Sequence, residues 1–310
     1  MNQILLPEGL WPVMLTPFTF NGSIDYPSLD RLIEFYLDQG ASGLFANCLS
    51  SEMYHLKAAE RTDLVSHVVK RVKGRVPVVA TGTFGMNPDT HIHTIKAMNN
   101  LGTAAVVMVS SQLAGISETD EILKNKIQRI LEKTDSIPLG MYECPDPYKR
   151  LLGPEMVEYL AQTHRFLYYK ETSCHPLEIK TKLSRIQNTP LGLFNANTPT
   201  ALDSLKDGAS GLSTIAANFY PELFTRLCEW GKSPVYEKQA ASLQKHLSLM
   251  DAVTRIKYPL NAKIFLSKRG LKINDFTRVK VPRLHFEEEV MLDALFEHFK
   301  VILEKFHLNK

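Results

Sequence analysis

Lys170 stands near the end of an aromatic run, Phe166-Leu167-Tyr168-Tyr169-Lys170-Glu171-Thr172, which reads as a buried strand carrying an amine. An amine held in apolar surroundings loses hydration, so its charged form is disfavoured and its pKa falls. Neutral at physiological pH, such an amine is a nucleophile that forms a Schiff base with a carbonyl compound. The same residue could instead lay its stem along the apolar surface and extend its head into water. Two other groups bear on that choice. Tyr142 ends the preceding apolar run, and a phenol beside an amine can relay protons during imine formation and carbon–carbon cleavage. Read alone, it is equally an amphipathic core aromatic. Ser50-Ser51, with the adjacent backbone amides, could hold a carboxylate or could simply cap a turn.

Positioning these groups requires a particular scaffold. Short apolar runs over residues 13–16, 43–48, 76–82, 104–110, 137–143, 166–172, 191–195 and 211–216 are the strand candidates. Val106-Val107-Met108-Val109 is typical, a continuous apolar run of the kind parallel strands show when buried on both faces. Amphipathic helical patterns alternate with them, over 26–39, 57–73, 88–100, 118–133, 154–162, 176–186, 199–206 and 221–230. Eight such units predict an α/β fold, a (β/α)₈ TIM barrel. The competing doubly wound sheet would open on a glycine-rich turn, whereas the first strand here runs into Thr16-Pro17-Phe18. Residues 1–232 are expected to form the barrel and 233–310 a C-terminal helical extension, with helices over 235–250, 259–267 and 287–306.

The barrel's C-terminal strand ends are where chemistry belongs. Strand two delivers Leu49, Ser50, Ser51 and Glu52, and strand four delivers Ser110, Ser111 and Gln112. Strand five delivers Tyr142, Glu143 and Cys144, and strand six delivers Lys170. Strand seven delivers Asn195, Ala196 and Asn197, and strand eight delivers Ser213 and Thr214, with Asn218 beyond. Neighbouring strands lie about 4.8 Å apart, so inward side chains at equal depth on strands five and six can meet. Glu171 should point outward by strand alternation. Glu52 either orients the serine loop or is an exposed charge at a helix start.

These residues resemble those of the dihydrodipicolinate synthase/N-acetylneuraminate lyase family of class I aldolases and lyases. The carrying stretches are Thr16-Pro17-Phe18, Leu49-Ser50-Ser51-Glu52, Tyr142-Glu143-Cys144-Pro145, Tyr169-Lys170-Glu171-Thr172-Ser173, and Gly208-Ala209-Ser210-Gly211 with Asn218 and Pro221. The resemblance covers the barrel and extends weakly into the helical tail. It implies that Lys170 condenses with the keto carbon of pyruvate or another 2-oxo acid, and that Tyr142 donates and accepts protons. Ser50 and the amides near Leu49 and Ser50 would bind the carboxylate, with Ser213 a further substrate contact. It also implies that no cofactor or metal is needed, and that the chain forms a dimer or tetramer.

The sequence departs from the family pattern at several of these sites. Where a tyrosine commonly follows strand four, Val109-Ser110-Ser111-Gln112 stands, so the usual relay is absent or rebuilt. Pro147 occupies the place of the arginine that binds a second substrate, leaving Lys149 and Arg150 as candidate replacements. Glu143 replaces an asparagine and sets a carboxylate beside the pocket; Ser51 replaces a glycine, Leu49 a hydroxyl residue, and Ala196-Asn197 a Gly-Asp pair. The reading is a Schiff-base lyase or aldolase cleaving or forming a C–C bond. The alternatives are a 2-keto-3-deoxy sugar-acid dehydratase with the same imine chemistry, or a non-catalytic 2-oxo acid-binding barrel.

Bulk properties are those of an ordinary globular protein. The 310 residues are 44% apolar and 22% charged, with a net charge of +3, and the basic residues form no concentrated stripe for nucleic acid. No apolar run reaches membrane-spanning length, and Met1-Asn2-Gln3-Ile4 does not open a signal peptide. Cys48, Cys144, Cys174 and Cys228 form no CxxC pair, which suits a reducing cytoplasm. Three of them, Cys48, Cys144 and Cys174, fall near strand ends and are expected at the pocket. His91 and His93, two apart on a helix, are expected to be solvent-exposed rather than metal-bound.

Overall fold

The computed structural model describes residues 5–308. Eight parallel strands follow one another around a barrel in the order β1-β8-β7-β6-β5-β4-β3-β2. They are β1 (Gly9–Leu10), β2 (Leu44–Asn47), β3 (Val78–Thr81), β4 (Ala105–Val109), β5 (Leu139–Tyr142), β6 (Phe166–Glu171), β7 (Gly192–Asn195) and β8 (Gly211–Leu212). A parallel bridge between Val13 and Phe45 closes the ring between the first and second strands. Helices α1 (Tyr26–Asp38), α2 (Ala58–Val72), α3 (Pro88–Asn100), α4 (Ser110–Leu113), α5 (Asp120–Lys133), α6 (Pro154–Gln162), α7 (Pro176–Arg185), α8 (Ala201–Lys206) and α9 (Pro221–Gly231) connect the strands and follow the last of them. Proline at the first turn of α1, α3, α6, α7 and α9 presets the helical φ where no N–H partner is needed.

Three local expectations are corrected. Regular pairing in the first strand falls at Gly9–Leu10 rather than over 13–16, because Pro12 has no N–H to donate and interrupts the ladder before Val13. Strand eight stops at Leu212: the Thr214 hydroxyl accepts from the Ala216 amide and turns the chain into a 3₁₀ helix, Ile215–Asn218. Ser110 ends no strand but begins α4. At the β1–β8 seam a Cβ on Gly211 would lie 1.8 Å from the Gly9 carbonyl oxygen, so only glycine permits that pairing.

Strand alternation sorts side chains into two cores. Inside the barrel an aromatic plug forms from Trp11, Phe45, Tyr168 and Phe194, with Tyr168 stacked on Phe194 at 4.6 Å and Trp11 5.3 Å from Tyr168. The larger core lies between barrel and helices, where Met141 and Tyr169 project outward. In the β5–β6 register Met141 faces Tyr169 and Tyr142 faces Lys170. The aromatic plug therefore forms a floor, and Tyr142 and Lys170 are the next inward residues above it.

On the outer side of the same strand ends lies a buried ionic network. Lys182 on α7 donates to Glu143 at 3.2 Å and to Glu171 at 2.9 Å, and all three side chains are at most 1% exposed. Glu143 also accepts from the Tyr169 hydroxyl at 2.5 Å and from the Leu152 and Thr172 amides, both at 2.8 Å. The network ties together the residues that directly follow Tyr142 and Lys170. It fixes the two strand ends relative to each other.

After α9, helices α10 (Glu237–Thr254), α11 (Leu260–Lys268) and α12 (Phe286–Lys305) pack together and against α8 and α9. The segment between α11 and α12 returns to the barrel mouth. There Glu52 accepts from Lys263 at 2.9 Å and from the Arg278 and Val279 amides at 2.6 and 2.8 Å. Glu52 is thus a buried anchor, not an exposed helix charge. It binds the serine loop to the C-terminal segment.

Candidate active site

A cavity of about 460 Å³ opens at the C-terminal ends of the strands, in the size range of small-molecule sites. Lys170, Tyr142, Ser50 and Leu49 all line it. Lys170 is 3% exposed. Its Nζ lies 4.5 Å from the centre of the Tyr142 ring and 6.0 Å from that of Phe45. It forms no hydrogen bond or ion pair with any described residue. Burial is the main influence on this amine and brings it from its ordinary 10.5 down to about 8. The neutral fraction at pH 7 is then about one in ten, against roughly three in ten thousand for an exposed lysine. Burial, and then the neighbouring Cys144 and Cys48, push the Tyr142 phenol well above its ordinary range. That phenol stays protonated and can donate.

The serine loop forms the cavity's second wall. Leu49–Ser51 make one 3₁₀ turn held by Ser51, whose hydroxyl donates to the Met14 carbonyl at 2.7 Å and accepts from the Cys48 amide at 3.1 Å. Ser51 is therefore structural. The Leu49 and Ser50 amides head the turn, and neither has an acceptor among the described residues. Ser50 is a hydrogen-bond partner of the Tyr258 hydroxyl, which also accepts from Asn218 Nδ2 at 2.7 Å. Asn218 in turn donates to the Val13 carbonyl and accepts from Tyr36, so the tail, the first helix and the serine loop meet at one amide.

Several expected residues lie elsewhere. Ser213 is fully buried below the cavity, accepting from Tyr168 at 2.8 Å and donating to the Trp11 carbonyl at 2.9 Å, so its hydroxyl is committed to the barrel floor. Glu143 does not face the cavity; as an outward residue on its strand it belongs to the Lys182 network. Arg150 turns away to the Gly115 and Glu118 carbonyls and to Asp120, leaving Lys149 as the basic residue of that loop on the cavity wall. Of the three nearby cysteines only Cys174 lines the cavity, while Cys48 and Cys144 are buried beside it. His91 is buried rather than exposed, its Nε2 2.8 Å from the Gly85 carbonyl oxygen.

Residues that sequence reasoning missed complete the lining: Tyr54, Arg255, Tyr258, Ile215 and Val279. Tyr54 donates to the Asp146 carbonyl at 3.1 Å and accepts from Gln112 Nε2 at 3.3 Å. It brings a second phenol close to Tyr142 and Cys144 from within the same chain. Its only sequence signal was its place two residues after Glu52. Arg255, Tyr258 and Val279 come from the helical tail, and no spacing links them to a strand end.

The model of the Dihydrodipicolinate synthetase family matches residues 6–298. The chain belongs to that family. Its similarity to the 4-hydroxy-tetrahydrodipicolinate synthase of Staphylococcus haemolyticus is 23% identity over 298 residues, covering 94% of this chain and 97% of that protein. The synthase of Shewanella baltica is 29% identical over 223 residues, 72% of this chain and 74% of its own. Among solved structures, a monomeric dihydrodipicolinate synthase variant superposes with a TM-score of 0.86 at 22% identity, covering 96% of this chain and 98% of that one. YagE, a prophage protein of E. coli K12 solved in complex with pyruvate, gives 0.85 at 19% identity, covering 94% and 98%. These structural likenesses establish the fold, a dihydrodipicolinate synthase-type barrel with a helical C-terminal region. Among the described residues no helix is long and apolar enough to cross a membrane.

Proposed function

We propose that this member of the dihydrodipicolinate synthetase family is a lyase that works through an imine on Lys170, with pyruvate or another 2-oxo acid as substrate. The observation that carries the reading is the buried, unpaired Lys170 amine beside the Tyr142 phenol on the cavity wall. Family membership supports it, since the curated relatives named above are 4-hydroxy-tetrahydrodipicolinate synthases.

In this reading the neutral amine adds to the keto carbon, and Tyr142 gives a proton to the carbonyl oxygen. Loss of water from the resulting carbinolamine leaves a protonated imine. That cation draws electrons from the adjacent carbon, which then loses a proton or breaks its bond to the next carbon. The enamine so formed takes up a proton or adds to an aldehyde, and water releases the product and restores Lys170. Ser50 and the unpaired Leu49 and Ser50 amides hold the 2-oxo acid's carboxylate, a role suited to neutral hydrogen-bond donors on the cavity lining. The plug below excludes water from the amine's underside, which keeps its pKa low.

A panel of 4-hydroxy-2-oxo acids and 2-oxo-3-deoxy sugar acids, assayed for release of pyruvate or its homologues, tests the proposal. Turnover of at least one substrate, abolished in Lys170→Ala, is expected. Turnover that survives the substitution would remove Lys170 from the chemistry.

A further inference from the structure

Two cations at the cavity mouth have no part in the imine chemistry. Arg255, at the C-terminal end of α10, donates Nε to Asp251 at 2.7 Å; the carboxylate is 5% exposed and the arginine side chain 52%. Its two Nη groups meet no acceptor among the described residues. A guanidinium held along its Nε edge presents the remaining N–H groups as a fixed fork, the geometry that receives a carboxylate. Lys149, on the loop after β5, forms no ion pair or hydrogen bond with any described residue. Both side chains line the cavity that holds Lys170. The next residue, Arg150, shows the contrast, since its guanidinium is occupied by two carbonyls and a carboxylate.

The other charged or titratable groups on the lining do not cancel this pair. Glu52 is taken up by Lys263 and two backbone amides. His55 is exposed at the rim and adds no negative charge. Asp146 accepts from Tyr54 through its backbone carbonyl, and its side-chain carboxylate, the one on the lining without a hydrogen bond or ion pair to a described residue, is free to accept from a substrate hydroxyl. The cavity is also larger than a three-carbon acid fills.

We propose that Arg255, assisted by Lys149, binds a second carboxylate at the far end of the substrate, so that the site prefers a dicarboxylic 2-oxo acid to its monocarboxylic counterpart. The inference rests on the imine reading of Lys170 and extends it to the substrate's distal end. Arg255 acts here as a specificity residue supplied by the C-terminal helices.

Borohydride trapping read by intact mass, across a range of concentrations, tests it with two chain-matched pairs. These are 2-oxoglutarate against 2-oxopentanoate, and 2-oxoadipate against 2-oxohexanoate. Within each pair only the terminal carboxylate differs. The dicarboxylate should half-saturate the adduct at a concentration about tenfold lower in at least one pair, the effect of one charge-assisted hydrogen bond. Arg255→Ala should reduce that preference several-fold and Arg255→Lys should keep part of it. Should Arg255→Ala fail to fold, as judged by its thermal melt, Lys149→Gln carries the same test. Equal half-saturation in both pairs, adducts with pyruvate alone, or a preference that these variants leave intact would overturn the proposal while the imine reading stands. No adduct on Lys170 with pyruvate or any of the four acids would instead remove the imine reading itself.

Discussion

Replacing Lys170 with methionine should stabilise the protein at neutral pH. The substitution keeps an unbranched stem of similar length and removes the amine. Burial sets the folded-state pKa at about 8, against an ordinary 10.5 for the exposed chain. Each pH unit of that difference is worth about 1.4 kcal/mol, so the folded protein carries a penalty of about 3 kcal/mol whenever both states are protonated. The sign follows from proton counts. Below pH 8 the full penalty is present. Between pH 8 and 10.5 the unfolded chain binds more protons than the folded one, so stability rises with pH, and the penalty is gone above 10.5. Urea unfolding of the two proteins at pH 7 and at pH 10.5 measures this, because other titrations cancel in the difference between them. The Lys170→Met advantage should be about 3 kcal/mol at pH 7 and close to zero at pH 10.5. An equal difference at the two pH values, or a variant less stable than the parent at pH 7, would refute the argument that Lys170 is a desolvated amine.

Other consequences are open to measurement. Below pH 8, kcat/KM for a turned-over substrate should rise about tenfold per pH unit as the Lys170 amine loses its proton, and level off above it; a flat profile would point to another nucleophile. Tyr142→Phe should lower kcat about a hundredfold or more with little change in melting temperature, and a loss under threefold would make the phenol a core aromatic only. Lys182→Met leaves Glu143 and Glu171 buried without their cation and should cost about 3–5 kcal/mol in urea unfolding. Adding Glu143→Gln and Glu171→Gln to that variant should recover part of the loss. A loss below about 1 kcal/mol would mean that water reaches the network.

The repeating alternation of apolar runs and amphipathic helices made the barrel legible, because strands buried on both faces leave a continuous apolar signature. Tyr142 and Lys170 were legible for the same reason: each ends such a run, and strand periodicity places both inward at one depth. Glu143 and Ser213 were set at the pocket by the resemblance and not by strand periodicity. Glu143 follows Tyr142 and so faces outward, while Ser213 lies low enough to bond Tyr168 in the floor. Arg150 and Lys149 could not be separated, since the conformation of an irregular loop decides which of two neighbours turns inward. Arg255, Tyr258 and Val279 were beyond reach altogether. Their arrival depends on the tail docking against Glu52 and Asn218, and long-range polar contacts of that kind have no periodic trace in the chain.

The most direct test of the central claim is reduction of the protein with borohydride in the presence of pyruvate, followed by intact mass and peptide mapping. A single covalent adduct on Lys170, absent from Lys170→Met, is expected. No adduct with pyruvate or with a range of other 2-oxo acids, or one that maps to a different lysine and persists in the variant, would contradict it.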